Sequence, residues 1–379
     1  MKTILAVLGT RPEAIKMAPV ILELQKQAAF QTEVCFTGQH GEIAEEVLDT
    51  FRIAPKFRLH IRADHSSLAS LSAAMLTTFP QVLDACQPDL VLVHGDTLSA
   101  FCAALCCFYA KIPIAHIEAG LRTYRLDAPF PEEWNRRAIG ILAALHFAPT
   151  EAAAQNLFAE GTDPSAVLVT GNTGLDALRL TLSDTASLPP DAFTGHPLLL
   201  LTAHRRENQG AALESIFAGV KQVCAAFPAV RVCYPVHPNP AIGKAAHAAF
   251  ADLAAVTLCA PLPVRAFHQL LARSTLVLTD SGGLQEEASF LHKPVLILRE
   301  ETERPEGVVS GGLQVVGTQA DAIFRACKTL LTDDTAYQAM AHAPCPYGDG
   351  HAAARICDGM RRFFENTRYT GKKSGERTS

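Results

Sequence analysis

Long hydrophobic runs are missing from this chain: its apolar stretches are too short to span a bilayer, so no membrane partner is expected. Charge of one sign is scarce too. The 33 Lys and Arg against 38 Asp and Glu leave a net charge of −5, which gives no footing for nucleic acid. The N-terminus has one lysine, a short apolar run, then Arg11, Glu13 and Lys16. That pattern predicts a first β-strand rather than a signal peptide. The 11 cysteines are odd in number and show no Cys-x-x-Cys spacing. Cys102, Cys106, Cys107 and Cys233 sit inside apolar runs, which predicts free buried thiols in a reducing cytoplasm. The first strand leads into Gly9-Thr10-Arg11-Pro12 rather than Gly-x-Gly-x-x-Gly, which argues against a nicotinamide dinucleotide. A Gly-x-x-x-x-Gly-Lys-Ser/Thr loop and a His-Glu-x-x-His helix are also lacking. His94, His116, His204 and His237 are not at metal spacing, so neither metal nor cofactor is expected.

What the chain does have is one arrangement repeated: a short apolar run that ends in a polar cluster. Ile4–Leu8 leads into Gly9–Lys16, and Leu90–Val93 into His94-Gly95-Asp96-Thr97. Pro113–Ala115 leads into His116-Ile117-Glu118, Leu198–Leu201 into Thr202–Glu207, and Val232–Tyr234 into His237. Leu276–Leu278 leads into Asp280-Ser281-Gly282-Gly283, and Val295–Leu298 into Arg299–Gly307. Continuous apolar runs suit strands buried on both faces of a parallel sheet. Ligands of such sheets bind beyond the carboxyl ends of the strands, where the polar clusters lie.

At 379 residues the chain is long for one core. Strand-like and helix-like segments alternate to about Thr170, with helices expected near 13–27, 42–51, 67–85, 99–110, 132–145 and 151–159. The pattern restarts at Pro197, after a Ser-, Thr- and Pro-rich stretch from Ser183. Two doubly wound α/β domains are expected, residues 1–171 and 172–351, with a hinge near Gly171-Asn172. A helix at about 352–366 is expected to pack back on the first domain, and 367–379 reads as a disordered tail.

Three carboxylate positions stand out in the first half. Asp96 and Glu118 each follow a buried strand directly. Asp96 also suits a helix N-cap, whereas a carboxylate at the end of a strand like that of Glu118 needs a partner or a function. Glu132 and Glu133 open a helix after Pro131, where acids also serve the helix dipole. Arg11, Lys16, Arg205, Arg206 and His237 could each be a surface charge on a loop; together they read as a complementary set of anion ligands. Ser281-Gly282-Gly283 reads either as a tight turn or as a helix start that presents free N–H groups to a phosphate. Glu287, one turn inside, could accept hydrogen bonds from a ribose.

Many motifs stand in order: Gly9 to Pro19, Gly38-Gln39-His40, His94 to Thr97, His116 to Thr123, and Pro131 to Arg136. Gly171-Asn172-Thr173, Ala203 to Asn208, His237 to Pro240, Asp280 to Glu287 and Arg299 to Gly307 follow. With them the chain resembles the bacterial non-hydrolysing UDP-N-acetylglucosamine 2-epimerases from Thr3 to about Gly312. The resemblance implies a GT-B-type fold, two Rossmann-like domains facing each other across a cleft. It implies a cytoplasmic homodimer that interconverts UDP-GlcNAc and UDP-ManNAc without a cofactor and supplies surface or capsular polysaccharide. Asp96, Glu118 and Glu132 match the catalytic carboxylates and His204 the histidine near the diphosphate. Arg11, Lys16 and Arg136 match substrate contacts, and Ser281, Gly282, Gly283 and Glu287 the diphosphate and ribose ligands.

The pattern departs at two places. Many members bind a second UDP-GlcNAc as activator through Gln-His-Arg-Gln and a downstream Arg-Gln-Thr-Leu. Here these read Gln39-His40-Gly41-Glu42 and His65-Ser66-Ser67-Leu68. Glu42 and His65 both disfavour a diphosphate, while Arg206 and His237 are kept, so activation is expected to be weak or absent. The rival enzymatic readings are a hydrolysing 2-epimerase that releases ManNAc and UDP, and a GT-B glycosyltransferase. A nucleotide-sugar sensor would need no triad of carboxylates.

Overall fold

The computed structural model describes residues 1–39, 41–61, 67–183 and 193–366, and for Glu42 and Arg206 the backbone alone. Two sheets carry the fold, and every strand pairing in both is parallel. The first contains β1 (Lys2–Leu8), β2 (Phe30–Phe36), β3 (Phe57–Arg58), β4 (Leu90–His94), β5 (Ile114–Ile117), β6 (Leu145–Ala148) and β7 (Val167–Val169). Its order is β3-β2-β1-β4-β5-β6-β7. The second contains β8 (Leu198–Thr202), β9 (Arg231–Pro235), β10 (Val256–Cys259), β11 (Leu276–Thr279), β12 (Val295–Ile297) and β13 (Leu313–Val315). Its order is β10-β9-β8-β11-β12-β13.

Both orders are doubly wound, and each reverses direction once: between β1 and β4, and between β8 and β11. Those are the switch points at which α/β sheets bind ligands. The polar clusters Gly9–Lys16 and His94–Thr97 follow β1 and β4, and Thr202–Arg205 and Asp280–Gly283 follow β8 and β11.

The chain divides into two compact units. Unit 1 takes residues 1–44 and 54–173 and the chain from His351, including the helix Ala352–Asn366; unit 2 takes Glu45–Ile53 and Gly174–Gly350. In unit 1, Ile4 to Leu8 and Leu90 to Val93 are wholly buried. Helices 68–86 and 98–109 cover one face with Met75, Phe79, Cys102, Cys106 and Cys107. In unit 2, Leu199, Leu201, Leu276 and Leu278 face Phe217, Tyr234 and Phe250, and Leu198, Leu200 and Val277 face the opposite cluster with Leu270, Leu271 and Tyr347. Burying each such side chain is worth roughly 1.5–3 kcal/mol, which is why these runs become strands covered on both faces. Among the described residues no helix is long and apolar enough to cross a membrane.

Two expectations are corrected locally. Asp96 is not the cap of the helix Leu98–Tyr109; Thr97 is, its hydroxyl accepting the Ala100 N–H at 3.0 Å. The helix expected to reach residue 145 ends at Leu142, because Leu145 already opens β6. The tail from 367, His40, His65 and most of the Ser183–Pro197 stretch lie outside the described residues.

Candidate active site

The start of the helix Arg11–Gln25 is built by a capping box. The Glu13 N–H points at the Thr10 hydroxyl, and Glu13 Oε2 accepts the N–H groups of Gly9 and Thr10 at 2.9 and 2.8 Å. Glu13 Oε1 takes the Thr97 hydroxyl at 2.6 Å and so ties the loop after β1 to the loop after β4. Burial pushes the Glu13 carboxyl up, against the pull of these donors. Gly9 is obligatory: a Cβ there would stand 2.0 Å from Thr37 Oγ1 and 2.7 Å from Ser99 Oγ.

These two loops and the β5 end surround a pocket of about 230 Å³ lined by Lys16, Gln39, His94, Asp96, Glu118, Glu132, Asn135 and others of unit 1. Lys16 Nζ pairs with Glu118 Oε2, each side chain only 14% exposed. Glu118 has φ +60°, a left-handed backbone that costs a side-chain residue on the order of 1–2 kcal/mol. Neighbouring contacts enforce it: Gly95 N–H donates to Ile117 O at 2.9 Å and Ala119 N–H to Phe147 O at 3.1 Å. His116 Nε2–H donates to Gly95 O at 2.7 Å. Gly95 has φ +62° and lies under the Glu118 carboxylate. The strained residue thus carries the carboxylate that faces the pocket.

Asp96 is held by Arg136, whose second arm reaches Glu133 at 3.6 Å. Asn135 Nδ2 donates to the Asp96 carbonyl at 2.9 Å. Burial raises the Asp96 carboxyl above its ordinary range; Arg136 opposes this, and the carboxylates of Glu118 and Glu132 reinforce it. A raised carboxyl among other carboxylates suits an acid/base role. His94 is driven down to about 4, first by burial and then by Lys16, while Glu118 works against them. The ring is therefore neutral, with Nε2 3.9 Å from Glu118 Oε2.

The adjacent acids Glu132 and Glu133 part company. Glu132 lines the pocket. Glu133 is fully buried and accepts the Thr123 and Tyr124 N–H groups at 3.0 Å each, so its work is to fold the loop. Arg11 opens the same helix as Lys16 without lining the pocket. Gln39 does line it, and its Oε1 accepts Ser99 N–H at 3.2 Å and Ser99 Oγ–H at 2.7 Å.

Unit 2 gathers a second group at its own switch point. Ser281 is the N-cap of the helix Gly282–Phe290 and makes no side-chain cap bond. A Cβ built on Gly282 would lie 3.9 Å from guanidinium nitrogens of both Arg205 and Arg304. A helix start between two guanidinium groups is suited to an anion. Asp280, fully buried, shapes the opposing loop: its Oδ2 accepts His204 N–H, Arg205 N–H and Asn208 Nδ2 at 2.7, 2.8 and 3.0 Å. Its Oδ1 faces His204 Nδ1 at 3.5 Å. The His204 ring stacks on His237 at 5.2 Å. Burial and His204 lower the His237 pKa, with Asp280 acting the other way. Asp280, Arg304, His94 and Glu13 were not singled out as site residues from sequence. Only Glu13 carried a readable signal, the Thr10-x-x-Glu13 capping box.

Two doubly wound parallel units, each with polar groups at its switch point, define a GT-B-like α/β protein. Residues 22–361 match the family model for UDP-N-acetylglucosamine 2-epimerase, and the chain belongs to that family. The Bacillus subtilis UDP-N-acetylglucosamine 2-epimerase is 46% identical over 356 residues, 94% of each chain. The Neisseria meningitidis UDP-GlcNAc 2-epimerase bound to UDP-GlcNAc superposes with a TM-score of 0.88 at 40% identity, over 95% of this chain and 100% of that one. The S. aureus MnaA–UDP structure gives 0.89 at 42% identity, over 96% and 97%.

Proposed function

We propose that the protein interconverts UDP-N-acetylglucosamine and UDP-N-acetylmannosamine by inverting C2 of the sugar. The observation that carries this reading is the gathering of Asp96, Glu118 and Glu132 with Lys16 around one pocket. The C2 proton has no adjacent carbonyl and is not acidic enough for simple removal. Elimination answers this. A carboxylate takes the C2 proton, the C–H pair becomes the C1=C2 bond, and the C1–O pair leaves with UDP. The 2-acetamidoglucal then takes a proton on the opposite face of C2 while the UDP oxygen rejoins C1. Two faces call for more than one acid/base group, which gives Asp96, Glu118 and Glu132 their places. Lys16, Arg11 and Arg136 are assigned to the reacting centre and the substrate. His204 and the N–H groups at Ser281, Gly282 and Gly283 take the charge on the departing diphosphate, and Glu287 takes the ribose.

Turnover in D₂O is expected to place deuterium at C2 of the product, read by proton NMR. Positional isotope exchange is expected to scramble the C1–O bridge oxygen into the diphosphate. Lack of scrambling excludes elimination, and free ManNAc in place of UDP-ManNAc makes the protein a hydrolysing epimerase.

The same reading makes it a cytoplasmic homodimer that supplies ManNAc for surface polysaccharide. Support for self-association is an apolar face on unit 1. Phe108 and Tyr109 end the helix Leu98–Tyr109 and are 56% and 70% exposed, and Ile141 on the helix Glu132–Leu142 beside it is 85% exposed. Ile141→Glu is expected to convert the sedimenting dimer to monomer; a wild type that sediments as monomer ends this part of the proposal.

Activation by a second UDP-GlcNAc is expected to be weak. Glu42 adds negative charge and His65 replaces a permanent cation. Loss of one charge-assisted bond weakens binding by roughly ten- to a hundredfold. Turnover from pure UDP-ManNAc should therefore start without a lag. A long lag abolished by a trace of UDP-GlcNAc would show the activator site intact.

A further inference from the structure

Behind Glu287 stands a histidine that the reaction above leaves unused. His268, on the helix Val264–Arg273, is buried to 2% exposure. Its Nδ1 is 2.6 Å from the Thr181 hydroxyl, and that hydroxyl is 2.9 Å from the Leu178 carbonyl oxygen. A carbonyl can only accept, so with the Thr181 proton directed at Leu178 the short contact to His268 is made by Nδ1–H as donor and Thr181 as acceptor. In the neutral ring this leaves a lone pair on Nε2. Nε2 faces Glu287 Oε2 at 3.7 Å, beyond hydrogen-bond distance, and the Glu287 side chain is 17% exposed. A nitrogen lone pair and a carboxylate oxygen therefore stand side by side. Two acceptors side by side suit a ligand that brings two adjacent donors.

We propose that His268 and Glu287 together read the vicinal diol of a nucleoside ribose, one hydroxyl donating to each. Thr181 fixes the tautomer that makes His268 an acceptor. The inference rests on the reading of unit 2 as the UDP-binding unit. Position supports it. Glu287 lies six residues after Ser281 in sequence, roughly 9 Å along a helix axis. A ribose at Glu287 therefore leaves its diphosphate near the helix start, beside Arg205 and Arg304. His268 is a specificity-determining residue in this account, since it selects a ribonucleotide over its deoxy analogues.

The test is calorimetric titration of the full chain with UDP, 2′-deoxy-UDP and 3′-deoxy-UDP. The wild type is expected to favour UDP over at least one deoxynucleotide by about five- to tenfold, the size of one hydrogen bond. His268→Asn keeps a donor toward Thr181 at the place of Nδ1 but has no acceptor at the place of Nε2, and its preference should fall toward one. His268→Gln carries an amide oxygen out to that place and should regain part of the preference. A packing role alone would not follow this order. An unchanged preference in His268→Asn overturns the proposal, as does equal binding of all three nucleotides by the wild type. Failure of the wild type to bind UDP at all overturns instead the reading of unit 2 beneath it.

Discussion

Asp96→Asn, Glu118→Gln and Glu132→Gln are each expected to lower kcat by about a hundred- to ten-thousandfold, the usual contribution of a positioned acid or base. Each change keeps side-chain volume and removes the negative charge together with the capacity to carry a proton. The fold should survive. Burial raises the Asp96 carboxyl, so the folded state already disfavours its charge, and a neutral amide there costs little stability. Arg136 loses one partner in that variant but keeps Glu133 at 3.6 Å. Glu118→Gln removes the partner of Lys16 at the edge of an open pocket, where water can take over. Circular dichroism and urea midpoints near wild type would separate lost chemistry from lost fold. A variant that still exchanges the C2 proton with D₂O, yet no longer inverts C2, would assign its carboxylate to one face of the sugar. Near-normal kcat in two of the three would remove these residues from the mechanism.

The site was legible in sequence where function and strand end coincide. Asp96 and Glu118 follow β4 and β5 directly, so an apolar run and a stranded carboxylate sufficed to find them. The same signal failed for strands without a continuous run. β3, β7, β10 and β13 are the outermost strands of their sheets. Each pairs on one side only, and residues such as Arg58, Val167, Thr257 and Gln314 keep partial or full exposure. Edge strands are defined by a neighbour rather than by their own burial pattern. Residue pattern alone did not separate Glu132 from Glu133, and the choice of Glu132 came from the resemblance; the two differ by about 100° around one helix, and the packing of loop Thr123–Tyr124 shows which is buried. Asp280 and His268 were illegible for a related reason. Their partners lie 72 to 87 residues away, at His204, Arg205, Asn208 and Thr181, and short-range spacing carries no trace of such pairs.

Stability is expected to fall steeply as pH drops from 7.5 to 5, because three neighbouring strands bury neutral histidines. Burial drives His94, His116 and His146 down from 6.5 to about 4, 3 and 4 respectively. Each folded pKa lies below the unfolded one, so the unfolded chain takes up protons first. Their stabilisation is whole above about pH 6.5 and drains away toward pH 4. At pH 5 the loss is about 2 kcal/mol for each ring and about 6 kcal/mol for the three, against a total stability of order 5–15 kcal/mol. Glu13 and Asp96 act in the opposite sense. Burial raises both from 4.5 and 3.8, so the folded protein holds their protons more tightly and gains stability as pH falls through the raised values. That offset opposes the loss from the histidines. Urea unfolding at pH 7.5 and 5.0 measures the sum. His116→Gln carries an amide donor out to Gly95 O at the place of Nε2 and removes one titrating ring, so the acid-dependent loss should shrink by about a third whatever the variant costs at neutral pH. A midpoint that does not move between the two pH values would mean that the row of rings is already charged or solvated in the fold.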